Sequence, residues 1–121
     1  PTRAGGREAI GRALAAEKPP TAVVCYNDIV AMGATRALTE RGILPGRDMA
    51  VIGFDDIAEA EHNAPPLTTV SADTREMGKR CAQSLLGLIN HEDPAGLSFA
   101  GVARLVVRES CGAARQSRRT A

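Results

Sequence analysis

Two short apolar runs, Thr21–Tyr26 (TAVVCY) and Met49–Phe54 (MAVIGF), constrain this chain most. Both are rich in β-branched residues and lack polar alternation, the form of a strand buried on both faces. Each follows a stretch with helical period. Over Gly6–Lys18, Ala9, Ile10, Ala13 and Leu14 lie on one side and Arg7, Glu8, Arg12 and Glu17 on the other. Pro19 and Pro20 close that stretch, because proline removes a helical donor and clashes with the preceding turn. A second helix is capped by Asn27 or Asp28 and runs to about Arg41, with Val30, Ala34, Ala37 and Leu38 at spacings of three and four. Gly42 is placed as the left-handed residue just past its end. Helix, strand, helix, strand in that order makes the fold α/β, a parallel sheet with flanking helices.

Downstream, Asp55 and Asp56 lead into a short helical piece ending near His62, and Pro65 and Pro66 break the chain. Leu67–Ser71 (LTTVS) is extended. Asp73 and Glu76 have capping-box spacing before a long helix whose apolar face is Met77, Cys81, Leu85, Leu88 and Ile89. A polar turn over Asn90–Gly96 precedes a last strand, Val102–Val107. Arg115, Arg118 and Arg119 read as a solvated basic tail.

Composition excludes several function classes. Fifteen basic against fourteen acidic residues give a net charge of +1, too little to steer nucleic acid or a membrane surface. Aromatics at 2% leave no stacking platforms for single-stranded nucleic acid. There is no run of about 18 apolar residues and no signal-peptide pattern. Cys25, Cys81 and Cys111 are widely spaced with no CxxC, so no zinc site is expected, and free thiols suit a reducing cytoplasm. Cys25 reads as a core residue and Cys81 as part of a buried helix face.

The residues that could carry chemistry are Asn27 and Asp55, each directly after a predicted parallel strand. Ligands of open α/β sheets bind outside the carboxyl ends of the strands. Neighbouring strands lie about 4.8 Å apart, so both side chains could reach one small molecule. A carboxylate accepts from two hydroxyls and an amide both donates and accepts, which suits a polyhydroxylated ligand. The plainer reading stays open: Asn27 as a helix cap only, Asp55 as a loop acid only. Tyr26 could line the same place or simply end its strand. Asp55 and Asp56 as a magnesium pair for phosphoryl transfer would need a lysine at a strand end, and Lys18 and Lys79 are not so placed. His62 and His91 read as surface histidines, and the serines lack a nucleophile-elbow context. No enzymatic reaction, metal or cofactor is expected.

The ordered motifs Pro20-Thr21-Ala22, Asn27-Asp28-Ile29-Val30-Ala31-Met32-Gly33, Val51-Ile52-Gly53-Phe54-Asp55-Asp56, Pro65-Pro66-Leu67-Thr68-Thr69-Val70 and Leu105-Val106-Val107-Arg108-Glu109-Ser110 resemble the LacI/GalR family of bacterial transcriptional regulators. The resemblance covers about Gly6 to Ser110, in the C-terminal part of the family's two-lobed, periplasmic-binding-protein-like core. It implies that residues 1–66 form part of the C-terminal lobe. Residues 67–101 would be a crossover strand and helix of the other lobe, 102–110 a returning strand, and 111–121 a mobile tail. It implies that Asn27 and Asp55 contact a sugar-like effector and that Asp28 caps or braces the helix. Dimer contacts would run through Ile29–Arg41 and Ile57–Asn63, with Val30, Ala34, Ala37, Leu38 and Ile57 as the interface. Operator DNA would be engaged only through a helix-turn-helix headpiece absent from this sequence. The other reading is a fragment of a periplasmic sugar-binding protein serving transport. With the first lobe missing, the helix face at Met77, Cys81, Leu85 and Leu88 should lack its usual cover.

Overall fold

The computed structural model of the chain describes residues 1–91 and 100–113. Most of the expected tail, residues 114–121, and most of the expected turn over Asn90–Gly96 fall outside them. The elements are α1 (Arg3–Leu14), β1 (Ala22–Val24), α2 (Asp28–Thr39), β2 (Ala50–Ile52), α3 (Ala58–His62), β3 (Thr69–Ser71), α4 (Thr74–Ile89) and β4 (Arg104–Val106). Helix α1 starts three residues before the predicted Gly6. Thr2 is extended, and its hydroxyl accepts from the Gly5 N–H at 3.0 Å, which satisfies one of the helix's unpaired first donors. Gly42 has φ 73°, in the left-handed region expected after α2.

Strands β1 and β2 pair in parallel, with Ala22, Val23 and Val24 opposite Ala50, Val51 and Ile52. Backbone bonds extend the pairing at both ends: Ala50 N–H to Thr21 O at 2.9 Å, Cys25 N–H to Ile52 O at 2.8 Å and Asp28 N–H to Phe54 O at 2.8 Å. The other edge of β2 is also occupied. Gly53 N–H donates to Thr68 O at 2.9 Å and Val51 N–H to Ser110 O at 2.8 Å. Val51 is accordingly fully buried. Strand β1 departs from the expectation of two buried faces. Val23 and Cys25 pack on the core, but Val24 is 80% exposed. Side chains alternate across a strand, so Ala22, Val24 and Tyr26 share the open face.

The core gathers Ile10 of α1, Ala31, Ala34, Ala37 and Leu38 of α2, Val51 of β2, Ala60 of α3, and Met49 and Leu67. Helices α1 and α2 approach at two glycines. A Cβ at Gly6 would overlap the Val30 carbonyl, and one at Gly33 the Arg3 carbonyl. This close approach lets the short alanines of α2 reach packing partners. Burying a leucine such as Leu38 stabilises by roughly 1.5–3 kcal/mol relative to leaving it in water.

The chain divides into two compact units, Pro1–Ser71 with Leu105–Ala121, and Ala72–Arg104. Within the second, Asp73 caps α4 by accepting from the Glu76 N–H at 3.1 Å, so the predicted helix start is met. Glu76 also pairs with Arg80 at 3.0 Å. The only buried residue of α4 is Gly87. Leu85, Leu86, Leu88 and Ile89 are 50–63% exposed. Cys81, expected on a buried face, is exposed as well. Among the described residues, the leucines of α4 thus have little against them.

Candidate functional site

Asn27 lies three residues beyond Val24, and Asp55 three beyond Ile52, its registered partner. Beyond the strands the pairing slips by one residue, since Asp28 rather than Asn27 donates to Phe54 O, so both side chains stand at the carboxyl edge of the paired strands. The Asp28 N–H to Phe54 O bond ties their neighbours together. Asn27 is extended, at φ −155°, and its Oδ1 accepts from the Val30 N–H at 3.0 Å, capping α2. Capping uses only the oxygen: Nδ2 makes no hydrogen bond among the described residues. Asp55 is exposed, and its carboxylate makes neither hydrogen bond nor ion pair among the described residues. Tyr26, 79% exposed, has a hydroxyl equally without a protein partner there. A donor, a carboxylate and a phenol thus stand unpaired at the carboxyl ends of two adjacent parallel strands, where such sheets take ligands.

A buried polar frame carries these groups. Asp28 is fully buried. Its Oδ1 accepts from the Thr69 hydroxyl at 2.5 Å and its Oδ2 from the Ile57 N–H at 3.0 Å. It braces the start of α2 against the loop after β2, matching the bracing role read for it. Asp55 and Asp56 both have positive φ, 108° and 55°, a region that non-glycine residues rarely enter. That turn is held by Asp55 N–H on Val70 O at 2.9 Å and by an ion pair of Asp56 with Arg108 at 2.9 Å. Arg108 also donates to Leu67 O at 2.9 Å. Ser110 is buried. It accepts from the Thr68 N–H at 2.8 Å and donates to Val51 O at 2.7 Å. No functional reading singled out Thr69, Arg108 or Ser110. Their partners lie more than forty positions away. The two family-like motifs that contain them were the available signal, but nothing local named their partners.

Cys25 precedes the site on the core face of β1. Burial pushes its thiol pKa up, and the Asp28 carboxylate adds to the shift. The thiol is therefore a poor nucleophile at neutral pH. Among the described residues no three His, Cys, Asp or Glu side chains are grouped to hold a metal ion.

The expected dimer residues separate in the structure. Ala34, Ala37 and Leu38 are at most 1% exposed and belong to the chain's own core, so they cannot meet a second copy. The helical spacing marked the apolar stripe of α2 correctly, but the chain consumes it. Val30 and Ile57 are half-buried. What α2 leaves accessible is an open groove shared with α1 and α3, lined by Arg3, Arg7, Arg36, Glu40, Glu59 and His62 among others. Glu40 there is paired with Arg7 at 2.6 Å and with Arg36 at 3.0 Å, and these bonds hold its carboxyl below the usual range, Arg7 contributing most.

Residues 1–111 match the periplasmic binding protein-like domain. The chain is 39% identical over 108 residues to the HTH-type transcriptional repressor PurR of Haemophilus influenzae, covering 87% of this chain and 32% of that protein. It thus spans about a third of the length of the curated relatives it matches. Among solved structures, the transcription regulator GntR from Chromobacterium violaceum superposes with a TM-score of 0.82 at 37% identity, covering 92% of this chain and 41% of that one. The lac repressor dimer bound to operator and the anti-inducer ONPF superposes with a TM-score of 0.77 at 32% identity, covering 91% and 33%.

Proposed function

The chain belongs to the periplasmic-binding-protein-like domain family, as part of the effector-binding core of a LacI/GalR-type transcriptional regulator, and from that premise we propose that it binds a small polyhydroxylated effector, a sugar or a nucleoside-like polyol. The ligand residues are Asn27 and Asp55, with Tyr26 beside them. The observation that carries this reading is the free Asn27 Nδ2 and the free Asp55 carboxylate just beyond the carboxyl ends of two adjacent parallel strands. Asn27 offers a donor while its oxygen stays committed to the helix. Asp55 offers two acceptor oxygens to neighbouring hydroxyls.

Two copies pair through the groove between α1, α2 and α3, and of the residues first read as interface only the half-buried Val30 and Ile57 are free to take part. Arg3, Arg7 and Arg36 stand there with Glu59, so a two-fold axis can place opposite charges face to face. The relative solved as a dimer on operator DNA supports this assembly. Effector binding couples to operator binding or release through segments outside these 121 residues, in the cytoplasm. Among the described residues no helix is long and apolar enough to cross a membrane.

A thermal-shift panel of pentoses, hexoses and nucleosides tests the site. A specific ligand at a hundredfold excess over its Kd stabilises by about 2.7 kcal/mol. Asn27→Ala and Asp55→Ala each abolish that shift. A shift that survives both substitutions overturns the assignment.

A further inference from the structure

Asp55 is aimed by a backbone conformation that its own side chain does nothing to hold. Its φ of 108° and the φ of 55° at Asp56 put two consecutive non-glycine residues in the left-handed region. Such residues persist only where the surroundings over-determine them. Asp56 is the residue the surroundings grip. Its Oδ1 accepts from an Arg108 Nη at 2.9 Å, and its N–H meets the Thr69 hydroxyl at 3.4 Å.

Arg108 is itself fixed on three sides. One Nη donates to Leu67 O at 2.9 Å, the other reaches Asp56, and its backbone N–H donates to the Thr68 hydroxyl at 2.9 Å. The ion pair is only 19% and 24% exposed on its two sides, so solvent screens it weakly. A planar guanidinium addresses a carbonyl and a carboxylate through two separate nitrogens in a fixed fork, a geometry that the single nitrogen of an ammonium does not reproduce.

We infer that Arg108 is a positioning residue of the proposed site: by gripping Asp56 and the Leu67 carbonyl it holds the turn that presents Asp55 to the ligand. This rests on the reading of Asp55 as a ligand residue, but it concerns a residue that touches no ligand. Arg108 and Asp56 sit fifty-two positions apart. The aim of the site therefore depends on the returning segment as well as on the two strands.

The test uses the 121-residue chain, Arg108→Met, Arg108→Lys, Asp56→Asn and Asp55→Ala. D-ribose, D-galactose and adenosine are titrated separately, and amide exchange is followed by NMR. Arg108→Met is expected to speed exchange of the Asp55 N–H at least about tenfold while Ala31 and Leu38 keep their protection. The compound that binds the unmodified chain is expected to lose about tenfold in affinity with Arg108→Met. Arg108→Lys loses less than that, and Asp56→Asn least, since asparagine tolerates positive φ and still accepts from Arg108.

Unchanged exchange at Asp55 in Arg108→Met overturns the inference. So does faster exchange spread through Ala31 and Leu38, which makes Arg108 a residue of the fold in general. Binding that survives Asp55→Ala, or no binding of any of the three compounds, counts against the effector reading instead. Exchange at Asp55 then still decides whether Arg108 holds the turn.

Discussion

Helices α2 and α4 are written alike and end differently. Each begins at an Asx residue whose side chain caps it, Asn27 or Asp73, and each carries apolar residues at spacings of three and four. Eight of the twelve residues of α2 are buried, against one of the sixteen in α4. The periodicity specifies which face is apolar. Whether anything covers that face depends on the rest of the chain, and α2 has α1, β2 and the loop around Leu67 against it. The α2 stripe is also built of small residues, which permit backbone contact at Gly6 and Gly33. The stripe of α4 is built of larger residues, Met77, Leu85, Leu88 and Ile89.

The widest gap between the two helices should appear on truncating a leucine in each. Leu38→Ala is expected to cost about 2–5 kcal/mol, through lost burial and the cavity left behind. Leu85→Ala is expected to change stability by no more than about 0.5 kcal/mol. Urea unfolding with a common m-value checks both, and equal costs would mean that α4 is covered in solution.

The polar side of α2 comes next. Asp28→Ala strands the buried Thr69 hydroxyl and the Ile57 N–H and is expected to cost about 2–3 kcal/mol. Asp73→Ala, which removes only an exposed cap bond, should cost about 1 kcal/mol or less.

A third contrast is chemical. Cys81 on α4 is exposed, while Cys25 is half-buried with its pKa raised by burial and by Asp28. Iodoacetamide should modify Cys81 at least about tenfold faster near pH 8. The raised thiol pKa also has a sign for stability. The contribution of Cys25 is whole below the ordinary thiol pKa and is lost as pH rises through the raised value. Cys25→Ala should therefore flatten the alkaline decline in stability.

The smallest expected effect is at Glu40. Its lowered pKa gives a contribution present above the unfolded carboxyl value and lost as pH falls through the folded one. The stability difference between the unmodified chain and Arg7→Gln should shrink between about pH 6 and about pH 3.

Much of this was legible in the sequence. Helical periods and short apolar runs marked the long helices and the strands among the described residues, and the caps at Asn27 and Asp73 fell where Asx residues precede apolar periods. Asn27 and Asp55 were singled out because position relative to a strand end is itself a local property. The rest depends on non-local partners. Nothing near Arg108 says that it will grip Asp56, and nothing near Ser110 says that it will bridge Thr68 and Val51. Leu38 was read as an interface residue because the family resemblance assigned its helix to the dimer, and the helical period alone could not show that this stripe is the chain's own core. Val24 was read as buried, since an apolar run says nothing of what lies over each face.

The bonds of Ser110 also set a schedule. Ribosomes add roughly 5–20 residues per second. Val51 leaves its carbonyl waiting for a hydroxyl made 59 residues later, a delay of about 3–12 s at that pace. During synthesis the far edge of β2 is thus an open seam of backbone groups. It is sewn shut only when Ser110 has been made, so the nascent chain is exposed to mispairing along that edge throughout the interval.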